Sequence, residues 1–259
     1  RVCTLGANAL PLHTHNIKKQ TQSHTGVMTW HSPITRIFRN VLIFFFTSTI
    51  LSVVILKWVP VYYTPLMLIR CAEQAADGDE IKLHHKWTPI ESISANMPLA
   101  VMASEDANFL KHDGFDFEQI YEAQLTAMRG GRQRGASTIS QQTAKNVFLW
   151  PGHSWIRKGF EAYFTVLIER IWGKERIMEV YLNSIEMGRG IYGVQAVAHD
   201  HFGTRASLLT RSQAALIAAT LPNPLRFNSA APSAYMKRRR QQILHEMHFV
   251  QNPHWGVSH

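Results

Sequence analysis

Two acidic residues stand in stretches that otherwise make little use of charge. Glu105 lies in VMASEDANFLKHDGFD, inside a run that is mostly apolar from Pro98 through Leu110. A carboxylate in such surroundings is hard to ionise, which lifts its pKa toward the range useful for proton transfer. The alternative is a capping or ion-paired acid beside Asp106. Glu161 lies in RKGFEAYF, one helical turn after Arg157 and three residues after Lys158. Arg157 and Glu161 could form a surface ion pair worth a few tenths of a kcal/mol. Because the rest of that face is hydrophobic, the same trio also fits a charged cluster that belongs to a site.

A third stretch, RGASTISQQTAKN from Arg134 to Asn146, gathers hydroxyls, amides and Lys145 around the expected start of a helix. Backbone amides at a helix N-terminus together with a lysine would cradle a phosphate. Ordinary capping by Ser137 and Thr138, with Gln141 and Gln142 solvated, is the other reading. No glycine motif for nucleotides accompanies it, so nucleotide binding is not expected.

These residues need helices to position them. Thr88 to Glu91 has the form of a capping box with proline at the first helical position, and Pro98 opens the run that carries Glu105. Thr138 to Gln141 is a second capping box, followed by Thr143 to Leu149. Ser154 to Trp172 is long, apolar and stopped by Gly173. Lys174 to Leu182, Ala214 to Leu221 (after a third box, Thr210 to Gln213) and about Pro232 to Met247 complete the set, with a glycine-rich turn from Gly188 to Gly193. Alternating strand patterns are nearly absent, so the fold class is mainly α.

Ahead of this domain, Val41 to Leu56 is an uncharged apolar run, resumed after Lys57. A helix needs roughly 20 residues to cross the ~30 Å hydrocarbon core, so a span over 41–61 is expected. Lys57 would snorkel outward, while Trp58, Tyr62 and Tyr63 would sit in the interfacial belt. A cleaved signal peptide is the alternative, but no A-x-A site follows. The net charge is +9, and residues 1–40 hold Arg1, Lys18, Lys19, Arg36 and Arg39 with no acid, leaving +4 elsewhere. Bases before the span keep the N-terminus cytoplasmic, so residues 71–250 form a domain on the far side. Residues 1–27 contain no Met and are expected to lie upstream of the true start at Met28. The excess charge suits an anionic lipid surface or a phosphorylated substrate, and no motif points to nucleic acid. Cys3 and Cys71 flank the span and cannot pair, which excludes a disulfide framework. The 14 histidines are scattered without carboxylate or cysteine at zinc-ligand spacing.

Five segments together, EDANFLKHDGFD, RGASTISQQTAKN, RKGFEAYFTVLIER, YLNSIEMGRGIYGVQAVAHDHFG and SQAALIAATLPNP, resemble the successive motifs of peptidoglycan glycosyltransferases, from about Trp87 to Met247. That family includes the first domain of bifunctional penicillin-binding proteins and stand-alone monofunctional enzymes. No transpeptidase segment follows before His259, so the resemblance is to the monofunctional branch of Gram-negative bacteria. Three positions depart from the pattern: Gln213 where the family usually has Glu, Ala136 where Gly is frequent, and His153 where many members carry Arg.

The resemblance implies a lysozyme-like, two-lobed α fold, with a smaller hydrophobic lobe around 116–155 dipping into the inner membrane. It implies lipid II as substrate, with Glu105 as general base on the acceptor 4-hydroxyl and inversion at the anomeric carbon. Lys145, Arg157 and Lys158 would face the pyrophosphate, with Arg134 and His153 as further contacts. Ser137, Gln142 and Asn146 would line the donor site. Glu161 would hold a divalent cation, Mg or Mn, or orient those bases. The growing glycan strand is the expected partner, with penicillin-binding and divisome proteins as further candidates. A glycan-cleaving lysozyme-like enzyme and a catalytically silent membrane scaffold are the rival readings.

Overall fold

In the computed structural model, residues 33–131, 135, 137–152 and 154–258 are described. The chain divides into two compact units, Arg1–Phe45 and Phe46–His259. The described part of the first is the opening half of α1 (Pro33–Leu56), whose Ile37, Phe38, Val41 and Phe44 are exposed. Among the described residues, α1 is the one helix long and apolar enough to cross a membrane. Its bounds differ from the expected 41–61. It begins at Pro33 and stops at Leu56, because Pro60 disfavours the helical conformation just before it. Val61 is consequently a core residue rather than the end of a span, while Trp58, Tyr62 and Tyr63 are exposed.

In the second unit, Thr64 caps α2 (Pro65–Ala76) by accepting from Met67 N at 3.3 Å, with proline at the first helical position. The strand β1 (His84–His85) follows. The capping box expected at Thr88 does not form. Asn183 instead brackets Thr88, accepting its N–H at 2.8 Å and donating to its carbonyl at 2.9 Å, and only a 3-10 turn, Ile90–Ser92, results. Next come α3 (Asn96–Glu105), α4 (Phe117–Met128), α5 (Ile139–Phe148), α6 (Trp155–Ile171) and α7 (Lys174–Ser184). The strands β2 (Glu186–Gly188) and β3 (Ile191–Tyr192) then lead to α8 (Val194–Phe202), α9 (Arg211–Ala218) and α10 (Ala234–Glu246).

The boxes expected at Thr138 and Thr210 are both closed in both directions. Gln213 accepts from Thr210 N at 2.9 Å, so an amide closes the box as a carboxylate would. The expected glycine-rich turn is a small sheet in the order β1-β3-β2, with β1 parallel and β2 antiparallel to β3. Gly190 joins β2 to β3 at φ 67°, and a Cβ there would lie 2.3 Å from Lys82 O. Only glycine fits that turn.

The core forms where α3 packs on α9 and α9 on α10, and where α5 packs on both α6 and α7. Ala214, Ala215 and Ala218 line α9, and Met97, Val101 and Met102 of α3 are fully buried. These packings leave the C-terminal end of α3, one face of α5 and the start of α6 to build a site. In the expected small lobe, α4 buries none of its residues, and Phe117, Tyr121, Met128, Trp150 and Trp155 are all exposed.

Candidate active site

The helix α3 ends at Glu105, since Asp106 turns out of helical geometry at φ −162°. The Glu105 carboxylate accepts from Gln142 Nε2 at 3.0 Å and from Ser104 Oγ at 3.3 Å. Gln142 Oε1 in turn accepts from the Tyr181 hydroxyl at 3.2 Å. That bond from α7 fixes the amide so that its NH2 faces Glu105. Burial raises the Glu105 pKa, against the pull of Gln142, Ser104, Arg239 and Lys145. Burial, then the negative charges of Glu105 and Asp106, push the Tyr181 phenol well above its usual range, so it remains a donor.

The capping role considered for Glu105 belongs to its neighbour. Asp106 is buried, accepts the Ile139 N–H at the start of α5 at 3.0 Å, and meets His112 Nε2 at 3.0 Å. Gly114 N donates to His112 Nδ1 at 3.1 Å, so Nε2 carries the ring proton and donates to Asp106. Thr138 Oγ1 donates to Gly114 O at 2.7 Å. A side chain at Gly114 would come within 2.7 Å of Thr165 on α6, and its φ is +92°. Residues 106–114 therefore lock the end of α3 to the start of α5, which sets Glu105 against Gln142.

This lacing revises the expected phosphate cradle at the start of α5. The Ile139 amide is taken by Asp106 and the Gln141 amide by Thr138 Oγ1 at 3.2 Å, so protein groups already occupy two amides of the first turn. The positive charge comes from side chains instead. Lys145, one turn after Gln142, has no hydrogen-bond or ion-pair partner among the described residues. Burial lowers its pKa; Glu161 and Glu105 pull upward, and Arg157 and Lys158 push down. Lys145 therefore lies within electrostatic reach of both carboxylates.

On α6, Ser154 caps the first turn by accepting from Arg157 N at 3.1 Å. Glu161 is only 3% exposed. Its Oε1 bonds Lys158 Nζ, and its Oε2 lies 3.6 Å from Arg157 Nη1. Arg157 is itself buried, and among the described residues its Nε has no hydrogen-bond partner. Asn146 is buried on α5, and Ser137 is exposed just ahead of it. Arg134, Ala136 and His153 lie outside the described residues.

Gln142, expected in the donor site, bonds Glu105 directly. Sequence reasoning missed Asp106 and His112 as a pair, Tyr181 on α7 and Arg239 on α10. The pair had a signal, a histidine six residues after an acid in a short turn-forming segment. The other two had none, because they approach from distant helices. For a divalent cation the protein offers the single carboxylate of Glu161, and among the described residues no three His, Cys, Asp or Glu come together. That donor set fits Mg or Mn only where substrate phosphates supply other ligands.

A family model described as transglycosylase matches residues 74–248. The chain is 60% identical over 217 residues to the biosynthetic peptidoglycan transglycosylase of Bacteroides thetaiotaomicron, covering 84% of this chain and 88% of that protein. It is 48% identical over 222 residues to the Pseudomonas entomophila protein of that name, covering 86% and 94%. The Caulobacter vibrioides counterpart is 47% identical over 214 residues, covering 81% and 91%.

Proposed function

This chain belongs to the transglycosylase family, and from that premise we propose that it polymerises lipid II into the glycan strands of peptidoglycan. Glu105 removes the proton of the acceptor 4-hydroxyl. The oxygen attacks the anomeric carbon of the donor from the face opposite the leaving group, the bond to pyrophosphate breaks, and lipid pyrophosphate departs with the electron pair. Inversion follows from that geometry.

The observation that carries this reading is the contrast in charge across the site. A carboxylate held by the neutral donors Gln142 and Ser104 stands near a cluster of Lys145, Arg157 and Lys158. A sugar leaving group departs with a proton from a carboxylic acid and has little use for cations. A pyrophosphate leaving group needs cations held in place before the reaction. The buried Arg157 Nε, without a hydrogen-bond partner among the described residues, is a donor open to a ligand. Glu161 orients Arg157 and Lys158, and together with phosphate oxygens would hold a divalent cation, whose contribution is to neutralise pyrophosphate charge. Asn146 and Ser137 line the donor side, with Arg134 and His153 as further phosphate contacts.

An anchor suits a reaction whose substrate and product both stay in the lipid phase. In our reading α1 spans the inner membrane once, the N-terminus is cytoplasmic and the catalytic domain periplasmic. The exposed Phe117, Tyr121, Trp150 and Trp155 enter the outer leaflet. Penicillin-binding and divisome proteins are the partners this location offers. Incubating the purified full chain with lipid II should yield glycan strands and lipid pyrophosphate, while intact peptidoglycan stays uncut. Cleavage of peptidoglycan without polymerisation would overturn the reading in favour of a hydrolase.

A further inference from the structure

The end of α3 is held from a direction in which the sequence gives no signal. The Arg239 guanidinium on α10 donates through Nη2 to the Ser104 carbonyl at 3.3 Å. Through Nη1 it meets both carboxylate oxygens of Glu246 at 3.3 Å. Ser104 precedes Glu105, and its carbonyl is one of the last in α3, where the helix dipole is negative and the carbonyls lack partners within the helix.

We propose that Arg239 is a positioning residue for Glu105, clamping the final turn of α3 and holding beside the carboxylate a positive charge that Glu246 partly offsets. The inference rests on the reading of Glu105 as general base. Arg239 reaches two anchors at once because a guanidinium is a planar fork, which an ammonium is not. Its charge acts on Glu105 across the packing of α10 against α3. The other groups facing Glu105 differ in kind. Lys145 comes from α5, the neutral phenol of Tyr181 from α7, and Asp106 is engaged by His112. The face of α9 against α3 is alanine and aliphatic. Among the described residues, Arg239 and Lys145 are thus the cations that keep the partly buried carboxylate from gaining a proton too readily, and Arg239 also fixes its backbone.

The test uses the full chain in detergent or vesicles with lipid II, measuring kcat and KM from pH 5 to 9. In Arg239→Gln the acid limb of the rate profile should move to higher pH, by about 0.5 unit for a partly solvated charge. In Glu246→Gln, which frees Arg239 from its counter-charge, the limb should move to lower pH. Arg239→Lys should keep the wild-type limb but lose kcat, since one ammonium cannot hold both anchors, with KM little changed. Opposite shifts from the two ends of one ion pair are not a consequence of loosened packing, which would lower rates without moving the limb in opposite directions. If both variants leave the limb in place while Glu105→Gln is inactive, Arg239 has no role in tuning the base and the inference fails alone. If Glu105→Gln is active, the reading of Glu105 fails and takes this one with it.

Discussion

Glu105 and Glu161 are both acids on apolar helices, and the structure surrounds them in opposite ways. Glu105 sits at the last residue of α3, bonded by an amide and a hydroxyl that carry no charge. Glu161 sits in the middle of α6, with Lys158 and Arg157 on its two oxygens. Neutral donors leave a partly buried carboxylate able to take a proton, whereas cations paired with a carboxylate are themselves held in place by it. In the proposed mechanism the labour divides along that line: one acid exchanges a proton, and the other organises the bases that meet the phosphates. Lys145 joins the two halves, since it answers electrostatically to both.

The contrast predicts mutations with different signatures. Glu105→Gln keeps the hydrogen-bonding shape and removes the base, so polymerisation should fall by ~10² to 10⁴ while thermal unfolding stays close to wild type. A rate within threefold of wild type would remove Glu105 from the chemistry. Glu161→Gln should act on the other half, weakening donor binding and altering the response to added magnesium. Because Lys158 and Arg157 would lose their counter-charge, a variant with unchanged donor affinity and magnesium response would leave Glu161 with a structural role only. Tyr181→Phe should have the smallest effect, a loss of several-fold in kcat as the Gln142 amide loses its orienting donor, since one neutral hydrogen bond is worth about 1 kcal/mol. An effect as large as that of Glu105→Gln would mean Tyr181 belongs to the reacting groups.

What could be read in advance was whatever is written locally. Thr138 with Gln141 and Thr210 with Gln213 announce helix starts because both partners of each box lie within four residues. Gly173, at φ 80°, closes α6 as its position after an apolar run suggests. Glu105 and Glu161 were visible for a similar reason, as acids set among mostly apolar neighbours. Thr88 carried the same local signal and misled, because Asn183, 95 residues away, captures its backbone first. The end of α1 was misplaced because apolar composition continues past Pro60 while the helix cannot. Tyr181 and Arg239 reach the site only through the packing of α7 on α5 and of α10 on α3, contacts that no spacing in the chain encodes. Within the expected lobe at 116–155 the two helices part company: α4 buries nothing and exposes its aromatics, whereas α5 belongs to the main core through its packing on α6 and α7.

The pH dependence of kcat/KM on lipid II puts the opposition between the two acids to its most direct trial. Burial raises the Glu105 pKa, and a general base works only when ionised. Activity should therefore be full above that raised value and fall as pH drops through it, giving an acid limb above the ~4.3 of an ordinary glutamate. A limb at or below the ordinary value, or activity that climbs as the pH falls, would show that Glu105 is not the base that starts the transfer.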